Sequence, residues 1–417
     1  MQINTKHLQN NRINVNSAEL IHLSRKLVKE HKDLSLYFNS IKELPKSIFH
    51  KIWSSPESYL WSKLTWDLVH SNPRKSTFLR NYLEWNDTNE EQQIAIQIEK
   101  LALFTISGHI VSGSNIMLPN FIKIPKSGSF PGTGISWSSD KAIEIIGYKN
   151  NKIHAQIDQE SHEFSFNEII DKKDINPFFY QPQIKESGIT IDIWSECARM
   201  NFDGMEWIDR LSNYSELYKF KTTLSKSLKF IKQFEHDIYN ELSLLLKKIV
   251  PLKVISTAVP SSSNSTILGI SFCTYVDDPL LLAEMLIHEF SNKKLFLYQE
   301  VDTILDSNVH GDGWSIEKYY SPWRSDPRPL NGILHGLFVF SEVIKFWDYI
   351  IKCNAKKDYN HISYKRFYLL IEQANIALDI LKENASFTKV GYELMDGIEK
   401  EIKHHRSKIT KEDLEKT

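Results

Sequence analysis

A chain of 417 residues is too long for one ordinary hydrophobic core and implies roughly two or three packed units. With 41% hydrophobic and 25% charged residues it has the composition of a soluble globular protein, and a formal net charge of -1 gives no reason to expect nucleic acid or an anionic membrane as partner. Cys197, Cys273 and Cys353 are far apart and lack CxxC spacing, which argues against a disulfide framework or a cysteine zinc site and suits apolar thiols in a reducing compartment.

The polar start, Met1 to Lys6, has no apolar stretch of the kind a signal peptide needs. The longest apolar runs, such as Leu242 to Val250, are interrupted by lysines and too short to span a bilayer, so a cytoplasmic location is expected. Residues 1–110 read as a helical N-terminal region: Leu20, Leu23 and Leu27, and less strictly Ile94, Ile96, Leu101 and Leu103, recur at helical steps. Trp53, Trp61, Trp66 and Trp85 punctuate it and are expected in its core. Residues 111–190 read as a small β-rich region of hairpins, with short runs at Phe121–Ile124, Ala142–Ile146 and Lys152–Ile157 and a tight turn at Asn150-Asn151.

From 191 to 417 the pattern is helical again. Lys219 to Val250 reads as a long amphipathic stretch stopped by Pro251, and Leu252 to Val276 as a short strand-rich interlude. Asp278 and Pro279 form a cap and first turn for a helix running through Leu286 to Leu295, and the charged tail from Glu399 is expected to fray. The fold class expected is α+β, mostly α-helical, with no internal repeat.

The helix after Pro279 carries His288-Glu289-Phe290-Ser291-Asn292, an HExxH-like string whose last position is Asn. The i, i+4 spacing puts His288 and Asn292 on one helix face, with Glu289 beside them and Glu284 one turn earlier as a candidate to orient the imidazole. Asn is a neutral oxygen donor and a poor ligand for Zn²⁺ or Fe²⁺. His335, in Leu334-His335-Gly336, offers an imidazole from another helix. His288, His335 and Glu289 would make a two-His-one-carboxylate set, with Asn292 the alternative third donor. The plainer alternative is a polar pair in a helix groove. His162-Glu163 in the β-rich region reads as accidental, and His310-Gly311-Asp312, a second His-x-Asp spacing, as a solvated turn.

A second segment, Tyr320-Ser-Pro-Trp-Arg-Ser-Asp-Pro-Arg-Pro-Leu330, fixes Arg324 and Arg328 on a backbone stiffened by three prolines. Guanidinium groups on such a loop suit a carboxylate, for instance the distal carboxylate of 2-oxoglutarate; the alternative is a structural pairing with Asp326. Trp323 and Tyr320 read as packing residues.

These segments resemble the HExxH-motif peptide-modification proteins of ribosomal natural-product clusters, the 2-oxoglutarate-dependent HExxH-type peptide β-hydroxylases. Weaker similarity extends to Leu118-Pro119, Asp174 to Phe178 and Leu246 to Pro251. The resemblance implies an Fe(II) and 2-oxoglutarate enzyme that hydroxylates a β-carbon of a ribosomal precursor peptide. Its metal ligands would come from His288, Glu289 and the position of Asn292, with His335 completing the set, and Arg324 and Arg328 would bind the cosubstrate. Its partners would be the precursor peptide and other enzymes of the pathway. The departure at Asn292 implies a rival: a metal-poor member that binds peptide without turnover. A zinc hydrolase with Glu289 as general base would need a second imidazole where Asn292 stands.

Overall fold

The computed structural model describes residues 5–30, 34–70, 89–172, 174–200, 211, 214–234, 236–253, 261–265, 267–300, 302–311, 317–353 and 360–408. With 60% helix and 18% strand the chain is a mostly helical α+β protein. It divides into two compact units, one of residues 10–221 and 246–275, the other of 1–9, 222–245 and 276–417.

The first unit opens on helix α1 (Thr5–Glu30) from residue 10 onward, α2 (Leu34–Glu43), α3 (Lys46–Trp53), α4 (Pro56–Val69) and α5 (Glu90–Ser112). Local chemistry sets the ends of α5. Asn89 and Gln92 form a reciprocal capping box, and Gly113 closes the helix with φ 71°, a left-handed conformation that glycine adopts without penalty. Helix α5 is apolar and long enough to cross a membrane by length and composition, but Leu101, Ala102, Phe104 and Ile106 are buried in this unit's core.

Three small sheets follow. Strands β1 (Ile116–Ile124), β4 (Ile143–Lys149), β5 (Lys152–Ile157) and β6 (Glu160–Ser165) form an antiparallel sheet in the order β1-β4-β5-β6. The Asn150-Asn151 turn joins β4 to β5 with both residues at positive φ, 53° and 62°, the geometry that asparagine tolerates. Strands β2 (Ser127–Ser129), β3 (Ile135–Ser138), β8 (Phe178–Tyr180) and β7 (Asp174–Ile175) make a second sheet in the order β2-β3-β8-β7.

The expected boundary at 110/111 falls inside one hydrophobic core. Trp53, Trp61 and Phe104 from the helices share a cluster with Phe130, Trp137 and Phe178 from the strands. Trp66 differs from expectation. It is 38% exposed and stacks on His70 with ring centroids 4.1 Å apart. Trp85 lies outside the described residues.

The third sheet corrects the sequence reading of 219–250 as one helix. Helices α8 (Tyr214–Phe234) and α9 (His236–Leu245) end before Lys248, and β11 (Lys248–Leu252) carries Pro251 within it. Strand β11 runs parallel to β10 (Ile189–Ile191) and β13 (Ile270–Thr274), with β9 (Gln183–Ile184) and β12 (Ser261–Ser263) at the edges. All five residues of β11 are buried. A short strand buried on both faces shows a continuous apolar run rather than alternation, and periodicity does not separate it from helix.

The second unit contains α8 from residue 222 onward, α9, α10 (Pro279–Gln299), α11 (Ser307–His310), α12 (Leu330–Lys352), α13 (Asn360–Asn384) and α14 (Lys389–Ser407). Helix α10 starts as its sequence demands: the Asp278 carboxylate accepts from the backbone N–H of Leu280 and Leu281, and Pro279 occupies the first turn.

Candidate functional site: the HExxN helix and its neighbours

Helices α10 and α12 pack antiparallel, and their contacts give the register. Trp347 Nε1 donates to Glu284 Oε2 at 2.7 Å, and the His288 and Phe340 rings meet at 5.2 Å. Further along, Phe296 meets His335 at 5.2 Å, and Gln299 Nε2 donates to Asn331 Oδ1 at 3.2 Å. His335 therefore lies near the level of Phe296, eight residues beyond His288 on α10 and five residues from Phe340 on α12. That is about 8–12 Å along the axis at 1.5 Å per residue. Side chains lean toward the start of their own helix, so the two imidazoles of this antiparallel pair lean apart.

The residue that α12 presents to His288 is Phe340. It is held there by Trp323, whose ring stacks on Phe340 at 4.9 Å with an interplanar angle of 19°. Trp323 also lies over Gly336, where an added Cβ would come within 2.5 Å of the indole. Glycine at 336 is thus what lets the arginine loop seat its tryptophan on α12. The loop closes on itself through Tyr319 N–H to Arg328 O at 2.7 Å and Arg328 N–H to Tyr319 O at 2.8 Å. Gln373 of α13 donates to Pro322 O at 2.8 Å.

His335 is turned to other work. Its Nε2 is 3.0 Å from Gln299 Oε1, within hydrogen-bond distance. Burial pushes its pKa from 6.5 down to about 4, because the charged form loses its hydration. Glu284, expected to orient His288, instead pairs with Arg366, whose Nε lies 3.1 Å from both carboxylate oxygens and whose Nη2 also contacts Oε1. With Trp347 as a second partner, Glu284 ties α10 to α12 and α13.

Glu289 is the anomaly. It is 1% exposed, and its Oε2 is buried without a hydrogen-bond partner among the described residues. Asn292 lies one turn past His288, half-buried.

The anion between the two loop arginines is Asp326. Arg324 Nε donates to Asp326 Oδ1 at 2.9 Å. Arg328 Nε lies 3.0 Å from Oδ2, within ion-pair reach but without hydrogen-bond alignment. Asp326 is held below its ordinary pKa first by the Arg324 hydrogen bond. Arg324 and Asp326 are more than half exposed, so water screens the cluster. Tyr320, expected to pack, is 65% exposed.

The donors do not fit a three-ligand Fe(II) or zinc centre. Such a site needs imidazole or carboxylate groups converging on one point. Here His288 has an asparagine one turn on, a phenylalanine opposite and the other imidazole further along the helix pair. Among the described residues no group of three or more His, Cys, Asp and Glu side chains is placed to hold an ion. Of the other His-bearing strings, His162-Glu163 lies in β6 with Glu163 paired to Lys152 at 2.6 Å. His310 Nε2 accepts from Ser386 N–H at 2.7 Å, and Asp312 lies outside the described residues.

One cluster went unread in the sequence. Lys248, buried in β11, pairs with Asp192 Oδ2 at 2.6 Å and with Glu57 Oε1. Ser129 Oγ donates to the same Glu57 oxygen at 2.7 Å. Burial by itself would push the Lys248 pKa down, but the two carboxylates hold it above its ordinary value. Burial would likewise raise Asp192, and the Lys248 ammonium with two hydrogen bonds from Ser195 holds it low. The signal was a lysine inside an apolar run, Lys248-Ile-Val-Pro-Leu, which needs a counter-ion if the run is buried. No protein-family model matches the chain, and no curated protein matches it.

Proposed function

We propose that this chain is a cytoplasmic peptide-binding protein built on the plan of the HExxH peptide-modification proteins, without turnover at its HExxN helix. Its partners on this reading are a ribosomal precursor peptide and the enzymes that modify it. The observation that carries the reading is Phe340. The position facing His288 across the helix pair is filled by a hydrocarbon ring locked under Trp323. That arrangement stabilises the helix pair through aromatic packing and leaves His288 without a converging donor. The cytoplasmic location is supported by Cys197, Cys273 and Cys353, all free thiols.

One observation favours a second reading, the Fe(II)/2-oxoglutarate-dependent hydroxylase of a peptide β-carbon. A buried carboxylate oxygen without a partner is costly, and Glu289 Oε2 is such an atom among the described residues, on the residue next to His288. Anaerobic Fe(II) titration with and without 2-oxoglutarate, on the native protein and His288→Ala, separates the two. The peptide-binding reading expects no stoichiometric iron at micromolar concentrations in either protein. One equivalent bound by the native chain, lost in His288→Ala, would establish the hydroxylase reading instead.

A further inference from the structure

The unit of residues 10–221 and 246–275 holds a cavity of about 470 Å³, within the size range of ligand pockets, roughly 300–1,000 Å³. Trp61, Leu103, Phe104 and Ile124 give it an apolar floor. One wall is strand β2, whose three residues Ser127, Gly128 and Ser129 all line it. Strand β2 is the first strand of its sheet and has no further strand beside it among the described residues.

The ladder tells which way its backbone faces. Ser139 N–H donates to Lys126 O at 2.8 Å, and Phe130 N–H donates to Ile135 O at 2.9 Å, with Gly128 paired to Trp137 between them. Antiparallel pairing alternates, so positions 126, 128 and 130 turn their peptide groups toward β3. Ser127 and Ser129 turn theirs away, to the open edge. Gly128 keeps the strand in place, because a Cβ there would meet the Trp137 indole at 2.3 Å.

Two side chains around this edge are also unspent. Glu57 uses Oε1 for Lys248 and Ser129, while its Oε2 is buried with no partner among the described residues. The cations on the rim are mostly matched: Lys100 pairs with Glu196 at 2.6 Å, and Lys123 lies 3.9 Å from Glu144. Arg199, exposed on α7 (Glu196–Arg199), has no carboxylate partner among the described residues.

We infer that this cavity seats an extended peptide by β-strand addition to β2. Its backbone pairs with Ser127 and Ser129. One apolar side chain enters against Trp61 and Phe104, one peptide N–H meets Glu57 Oε2, and an acidic residue meets Arg199. An open strand edge offers alternating N–H and C=O groups, which a polypeptide backbone matches and a small metabolite does not. The inference rests on the peptide-binding reading and names the place where the peptide sits.

The test is to pan a random dodecapeptide display library against the full chain, synthesise the enriched sequences and measure their affinity by fluorescence anisotropy. Two variants report on the seat. Ser127→Pro removes one outward N–H, at an edge position where proline is tolerated, and Arg199→Glu reverses the rim charge on an exposed residue. The expected result is enrichment of sequences with an apolar residue near an Asp or Glu. Their affinity should fall at least tenfold in Arg199→Glu, and likewise in Ser127→Pro where its circular dichroism matches the native protein. Enriched peptides that bind Arg199→Glu and a folded Ser127→Pro as tightly as the native chain would overturn the seat and leave peptide binding standing. A library that enriches nothing would overturn both.

Discussion

The two units differ in how a cation answers their buried carboxylates. Around Lys248 one ammonium sits between Asp192 and Glu57, Ser129 and Ser195 add hydrogen bonds, and Glu57 Oε2 alone of the carboxylate oxygens is left without a partner among the described residues. On α10 the same care is given to Glu284, gripped by Arg366 and Trp347, and then stops. Just over one turn later Glu289 is as deeply buried with an oxygen left unpaired. Beside Glu289, Phe340 faces His288 and Asn292 stands one turn on, so neither position offers an imidazole or a carboxylate.

The contrast breaks most visibly at Lys248. Lys248→Met leaves two carboxylates buried without a cation and should cost about 3–5 kcal/mol of unfolding free energy, read by urea denaturation. A loss below about 1 kcal/mol would mean that water reaches the cluster and that it is no different from a surface pair.

His335 sharpens the comparison through pH. Its folded pKa of about 4 lies below the ordinary 6.5, so the unfolded chain binds a proton first as pH falls. Stability should be unaffected by this group above pH 6.5, decline between 6.5 and 4, and level off below, by about 3 kcal/mol in all. The same denaturation series on His335→Gln should lack that decline. A parallel slope in both proteins would show that the imidazole titrates in water.

The two glutamates of α10 should respond with opposite signs. Glu284→Gln weakens a carboxylate held by Arg366 and Trp347 and should lower stability by about 2 kcal/mol, whereas Glu289→Gln alters a side chain with an unpartnered buried oxygen and should leave stability unchanged or raise it by about 1 kcal/mol. Thermal melts of the two variants side by side decide it, and equal losses would mean that Glu289 has a partner after all. The smallest effect belongs to the loop. Arg324→Ala should change stability by no more than about 1 kcal/mol, as exposed pairs do, because Arg328 still faces Asp326.

Much of this was legible in residues whose partners are close in sequence. Asp278 and Pro279 announced the start of α10, Asn150-Asn151 announced the β4–β5 turn, and Lys152–Ile157 was read as a strand at its observed ends. What failed to show were partners set by packing. Lys248-Ile-Val-Pro-Leu looked like the end of a helix because a fully buried parallel strand has no alternation to read. His335 looked like a second ligand because spacing says nothing about helix register. Only the 288–340 and 296–335 contacts separate the two imidazoles. Asp326 between the arginines was visible as an alternative, and the loop's backbone closure brings it within reach of both.

Asn292 and Phe340 occupy the places where donors to His288 would have to stand. Cobalt(II) reports this directly through its visible absorption, titrated into the native protein and into an Asn292→His, Phe340→His double variant. The expected result is no protein-bound cobalt band in the native protein and one equivalent with a tetrahedral-type band in the double variant, lost again when His288→Ala is added. One equivalent in the native protein, dependent on His288, would contradict it.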